Sequence, residues 1–138
     1  MMKLMKWDNE EIIAVVKYKK DFMVEVTADD INTVVCGALE GGIGYWSCLD
    51  NTTEAWKGRD NNVHYLSDWA TKIILEGGEL EFEVDTYKKP QTVNLEKILK
   101  GIKLNAKNRD WDSDIRNGDV ITFDCIFQYA MLGKIVFG

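Results

Sequence analysis

The sequence predicts an α+β fold: an antiparallel sheet built from two hairpins, with about three helices packed on one face. Three observations carry that expectation. Apolar residues alternate at Phe22, Val24 and Val26 and again at Leu80, Phe82 and Val84, the period of a half-buried strand. They recur at helical spacing at Ile31, Val34, Val35, Ala38 and Leu39, and at Leu95, Ile98, Leu99 and Ile102. Val120–Leu132 is apolar on almost every side, the mark of a buried helix rather than a surface one. A chain of 138 residues with no internal repeat and no low-complexity linker forms one domain around one core.

The elements follow in order. The β-branched run 12–18 and the alternating run 22–26, separated by polar residues 19–21, make a first hairpin. Thr27 is placed to cap a helix over 30–39, with Asp30 three positions on in a variant of the capping box. Gly41 and Gly42 end it, since glycine accepts the left-handed conformation of a C-cap. Residues 44–70 lose periodicity and read as a long polar loop with several aromatics. Residues 71–75 and 79–85, joined by Gly77-Gly78, read as a second tight hairpin. In its second strand Leu80, Phe82 and Val84 face inward, while Glu79, Glu81, Glu83 and Asp85 form a solvated negative face. Pro90 breaks the chain, Asn94 caps a helix over 95–104, and Asp119 caps the apolar Val120–Leu132. Gly133 stops that helix, and 135–137 form a closing edge strand.

Composition excludes several classes. Seventeen basic and 23 acidic residues give a net charge of −6, so no direct binding to a nucleic-acid duplex is expected. No apolar run approaches the ~18 residues that cross a bilayer, and residues 1–7 are too short for a signal peptide's apolar region. Cys36, Cys48 and Cys125 are odd in number and form no C-x-x-C pair, which fits a reduced, cytoplasmic compartment. With one histidine, His64, a structural zinc is not expected, and neither phosphate-cradling glycine motif occurs, so no cofactor is assigned. His64 and Ser67 lack the nucleophile elbow that would support a catalytic triad.

Two constellations remain. Between Tyr45 and Trp69 the chain interleaves Tyr45, Trp46, Trp56, Tyr65 and Trp69 with Lys57 and Arg59. Flat rings stack on bases and cations answer phosphates, so this mixture suits a nucleotide-like small molecule; its alternative role is to plug the loop onto the core. Asp124 and Gln128 stand at i and i+4 on the otherwise apolar helix. A buried carboxylate must be hydrogen-bonded or paired, or else it protonates, so Asp124 either holds donors structurally or lines a ligand pocket.

The block Ala38-Leu39-Glu40-Gly41-Gly42-Ile43-Gly44-Tyr45-Trp46 resembles the A-L-E-G-G-x-x-Y-W signature of a group of small tailed-phage and prophage proteins. The run from Asp119 through Asp124, Gln128 and Gly133 to Phe137-Gly138 resembles the same group's ending. The group carries no agreed activity. The resemblance implies a phage-derived protein in a bacterial host's cytoplasm, where small accessory proteins act as counter-defence factors. Such factors sequester a nucleotide signal or block a host defence protein complex. It places Glu40, Tyr45, Trp46, Asp124 and Gln128 as candidates for one shared site, to which the loop adds Lys57 and Arg59. The leading expectation is binding without turnover, possible as a homo-oligomer. Two alternatives are a small metal-assisted hydrolase using Glu40, Asp85 and Asp124, and an acidic structural or assembly protein.

Overall fold

The computed structural model describes residues 10–58 and 65–138. It opens with β1 (Ile12–Lys19) and β2 (Phe22–Thr27), paired antiparallel with Val16 opposite Val24. Val16 and Val26 enter the core, while Val15, Phe22 and Met23 stay exposed, so one face of the ribbon is inside. The capping box then forms as its spacing predicts. The Asp30 amide donates to the Thr27 hydroxyl at 3.1 Å and the Thr27 amide to the Asp30 carboxylate at 2.9 Å. Helix α1 (Ala28–Gly37) follows, burying Ile31, Val34 and Val35.

The end of α1 differs from the expectation. The chain widens into one π turn over Ala38–Gly42, and Gly41, at φ 174°, is extended rather than left-handed. β3 (Ser47–Asp50) and a short 3-10 turn at Glu54–Trp56 come next, so 44–58 is more ordered than a polar loop.

The second predicted hairpin is a further correction. Residues 71–75 are not a strand: they complete α2 (Leu66–Leu75), whose buried Trp69, Ala70, Ile73 and Ile74 carry helical spacing once the count starts at 66. Gly77-Gly78 is the cap of that helix. The Gly77 amide donates to the Ile74 carbonyl at 3.2 Å and the Gly78 amide to that of Ile73 at 2.8 Å, with Gly77 at φ 90°. This is the Schellman pattern of a helix end, which shares its glycines with hairpin turns.

β4 (Leu80–Val84) therefore pairs with β3 instead, and on its other side with β5 (Gln91–Val93), both antiparallel. Leu80, Phe82 and Val84 face inward and Glu83 outward, as the alternation predicts. α3 (Leu95–Asn108) starts at Asn94, whose side chain accepts from the Lys97 amide at 2.9 Å. α4 (Val120–Leu132) starts at an Asp119 capping box and ends at Gly133, φ 79°. Donors from Thr122, and to a lesser degree Ile121, hold the Asp119 carboxyl below its ordinary pKa. A Cβ on Gly101 of α3 would lie 2.4 Å from the Ile126 carbonyl, so this glycine lets α3 and α4 touch backbone to backbone. Residues 135–137 form no strand; side-chain hydrogen bonds from α4 hold them.

The protein is thus α+β, with four α-helices, a two-stranded and a three-stranded antiparallel sheet among the described residues. One core joins Val26, Ile31, Ile74, Phe82, Ile102 and Phe127. No described helix is long and apolar enough to cross a membrane.

Candidate functional site

The π turn after α1 aims Tyr45 and Trp46 at the first turns of α4, where Asp124 receives both. The Tyr45 hydroxyl donates to Oδ2 at 2.6 Å; the Trp46 indole N–H and the Gln128 amide donate to Oδ1 at 2.8 and 3.0 Å. Gln128 reaches onward to the chain's last residues. Its Oε1 accepts from the Val136 and Phe137 amides at 2.7 and 2.8 Å, and its Nε2 donates to the Phe137 carbonyl at 3.1 Å. Phe137 then stacks on Trp46, centroids 5.3 Å apart at 10°. Gln128 is fully buried, and both its donors and both acceptor positions are filled, so it costs no unpaired polar group.

Four of the expected site residues, Tyr45, Trp46, Asp124 and Gln128, therefore form one hydrogen-bonded unit. Trp46 is 1% exposed with Phe137 on one face, so its ring offers no surface for a ligand to stack on. Tyr45 is different. Its hydroxyl turns inward to Asp124 while the residue as a whole stays 55% exposed. Loss of water around the hydroxyl, then the bond to Asp124, push its pKa up to about 12.

The other expected residues do not join them. Glu40 turns to α2 and accepts the Ser67 hydroxyl at 2.5 Å. Lys57 is exposed and pairs with Glu54 at 2.9 Å. Arg59 and His64 lie outside the described residues. Trp56 and Trp69 are buried, so those loop aromatics plug onto the core. Glu40, Asp85 and Asp124 form no common cluster, and no group of three or more His, Cys, Asp or Glu among the described residues is arranged to hold a metal.

The exposed face of Tyr45 belongs to an open cleft of about 570 Å³ between residues 44–48 and 83–90. Tyr87, Lys88, Lys89, Glu83 and Asp85 line its far wall. Thr86, between them, has φ 66°, a left-handed backbone that a β-branched residue adopts only under local strain. The sequence reading missed this wall. Its signal was the run Tyr87-Lys88-Lys89-Pro90, an aromatic and two cations halted by proline directly after an alternating strand. Of the three free thiols only Cys48, which is exposed, lines the cleft. Burial pushes the Cys36 thiol up to about 11 and raises Cys125 as well, and neither of these reaches it. The arrangement supplies ring faces, cations and carboxylate acceptors, the means of binding.

Comparison with protein-family models, curated proteins and solved structures finds no significant match for this chain.

Proposed function

We propose that the protein binds a nucleotide-like anion in the cleft between residues 44–48 and 83–90, without turning it over. The observation that carries this reading is the composition of the cleft: two accessible tyrosine rings, Tyr45 and Tyr87, beside Lys88 and Lys89. A base stacks on a tyrosine face, the lysines answer phosphate, and Glu83 and Asp85 accept hydrogen bonds from sugar hydroxyls or base amino groups. The biological setting we propose is the one the phage-protein resemblance implies: counter-defence in a bacterial host, by withholding a nucleotide signal. Blocking a host defence complex is the second form of the same reading, and the acidic outer face of β4 is what supports it.

The test is calorimetric titration with a panel of mononucleotides, dinucleotides and cyclic dinucleotides, followed by chromatography of the recovered ligand. The expected result is saturable binding of an intact ligand, weakened about tenfold or more by Tyr87→Ala and made less salt-sensitive by Lys88→Ala. Conversion of the ligand, lost on chelation, moves the assignment to a metal-assisted hydrolase. No binding by any nucleotide overturns the proposal.

A further inference from the structure

A second concave surface lies on another part of the molecule, between β1 and α3. It encloses about 760 Å³ and is predominantly apolar, with Val15, Leu99 and Leu104 in its floor. Around the floor stand Lys17, Lys100, Lys103 and Lys107. The last three fall at i, i+3 and i+7 of α3, so they form one stripe along the helix. Among the described residues none of the four lysines takes part in a salt bridge, on a chain whose net charge is −6. Four unpaired cations gathered around an apolar trough, against the sign of the whole molecule, mark a surface complementary to an acidic partner.

The backbone adds a direction. β1 pairs with β2 alone, so among the described residues its other edge carries main-chain donors and acceptors engaged by no strand. Four consecutive residues of β1, 14–17, line the groove, so the trough runs beside that edge. An extended segment laid there could add to the ribbon as a third strand. Its side chains repeat every ~6.6 Å on one face, close to the ~4.5–6 Å steps between the lysines of the stripe.

We infer that this groove docks an extended, acidic segment of a partner protein, in which apolar residues alternate with Asp or Glu. The apolar side chains fill the floor while the carboxylates meet Lys100, Lys103 and Lys107. An apolar floor offers nothing to a phosphate backbone, and the overall negative charge repels one, which favours acidic protein over nucleic acid. The chain's own residues 1–9 carry Lys3 and Lys6 against a single Asp8, the wrong sign for this rim. The site is separate from the nucleotide cleft and stands or falls independently of it.

The test uses the full chain and a short fluorescein-labelled peptide alternating valine and glutamate, followed by fluorescence anisotropy. Expected is saturable binding that weakens with added salt, is lost at least about tenfold in the Lys100→Glu/Lys103→Glu double variant, and falls less in Lys103→Gln. Hydrogen exchange of the bound complex should slow the amides of residues 14–17, the signature of strand addition. Circular dichroism confirms that the charge-reversed chain is folded, and Lys103→Gln, which removes one charge only, gives the same answer should the double variant not fold. Equal binding by wild type and both variants overturns the inference, as does binding without protection of residues 14–17. Labelled single-stranded DNA displacing the peptide reassigns the groove to nucleic acid. A wild-type dimer, dissociated by the charge reversal, reassigns it to a second copy's acidic β4 face.

Discussion

Two regions meet at Tyr45, and they treat polar groups in opposite ways. On the inner side, Asp124 and Gln128 are buried and every hydrogen-bonding position of Gln128 is filled from within the chain. On the outer side, the wall at residues 83–90 leaves Tyr87, Lys88 and Lys89 facing open space around a strained Thr86. A buried polar group that is saturated by its own chain has nothing left to offer a ligand, whatever its oddity in the sequence. The inner region builds the molecule; the outer one keeps polar and aromatic groups exposed in the cleft where we propose the ligand binds.

The largest effect should come from breaking the inner region. Asp124→Ala removes the acceptor of three donors, two of them, from Trp46 and Gln128, deeply buried, so we expect a loss of about 2–4 kcal/mol in urea unfolding. Asp124→Asn should cost below about 1 kcal/mol, because its oxygen can still accept from Trp46 and Gln128 while its amide donates to a rotated Tyr45 hydroxyl. An Asn variant as unstable as Ala would mean that the negative charge itself is required, and would return Asp124 to the list of ligand-binding candidates.

The outer region should respond in the reverse sense. Tyr87→Ala is expected to leave the unfolding midpoint nearly unchanged while weakening a bound nucleotide by about tenfold, near 1.4 kcal/mol. A variant that loses stability without losing affinity would make Tyr87 a packing residue and dissolve the contrast.

Sequence reasoning reached the inner region more fully than the outer, and the reason is physical. Asp124 and Gln128 stood out because a carboxylate and an amide on an apolar helix demand partners, and capping residues Thr27, Asn94 and Asp119 declare helix starts within three positions. Which donors Asp124 meets was not legible from periodicity or spacing, since Tyr45 and Trp46 lie 79 and 78 residues away and arrive by a π turn no local pattern announces; only the family resemblance set them beside it. The reading of 71–75 as strand failed because four of its five residues, Thr71, Ile73, Ile74 and Leu75, are apolar or β-branched and satisfy either period, and Gly77-Gly78 serves a Schellman cap as well as a hairpin. That error hid β3, since β4 had already been given a partner. The cleft wall went unnoticed for the same reason: it exists only once β3 and the segment before it lie against β4.

Strain at Thr86 offers a smaller test of the outer region. A non-glycine residue in the left-handed region costs ~1–2 kcal/mol, and glycine returns part of that as unfolded-chain entropy. Thr86 is exposed, so little packing is lost, and Thr86→Gly should raise stability by about 0.5–1 kcal/mol. If affinity for a nucleotide falls as stability rises, the strain shapes the cleft. If stability falls instead, the threonine side chain holds the loop, and the wall is built as tightly as the Asp124 cluster.

The smallest effect belongs to the residue both regions share. The Tyr45 phenol moves from its ordinary 10 up to about 12, by loss of water around the hydroxyl and by the bond to Asp124. The folded chain therefore holds that proton more tightly than the unfolded chain does. Below pH 10 both states keep it, and the stabilisation is complete; between pH 10 and 12 the unfolded state ionises first, so stability falls as pH rises. The ring is half-exposed, so solvent screening keeps the loss slight. The measurement is a difference titration of phenolate absorbance between wild type and Tyr45→Phe, which isolates one late-titrating tyrosine among the five. Asp124→Asn should bring that titration back toward its ordinary position, since the neutral amide no longer opposes phenolate. A nucleotide in the cleft should delay it further, because an anion stacked on the ring adds to the charge of Asp124 behind it. Tyr45 titrating at its ordinary pKa in the free protein would mean that its hydroxyl is solvated, and that the cleft is not coupled to the buried cluster through this side chain.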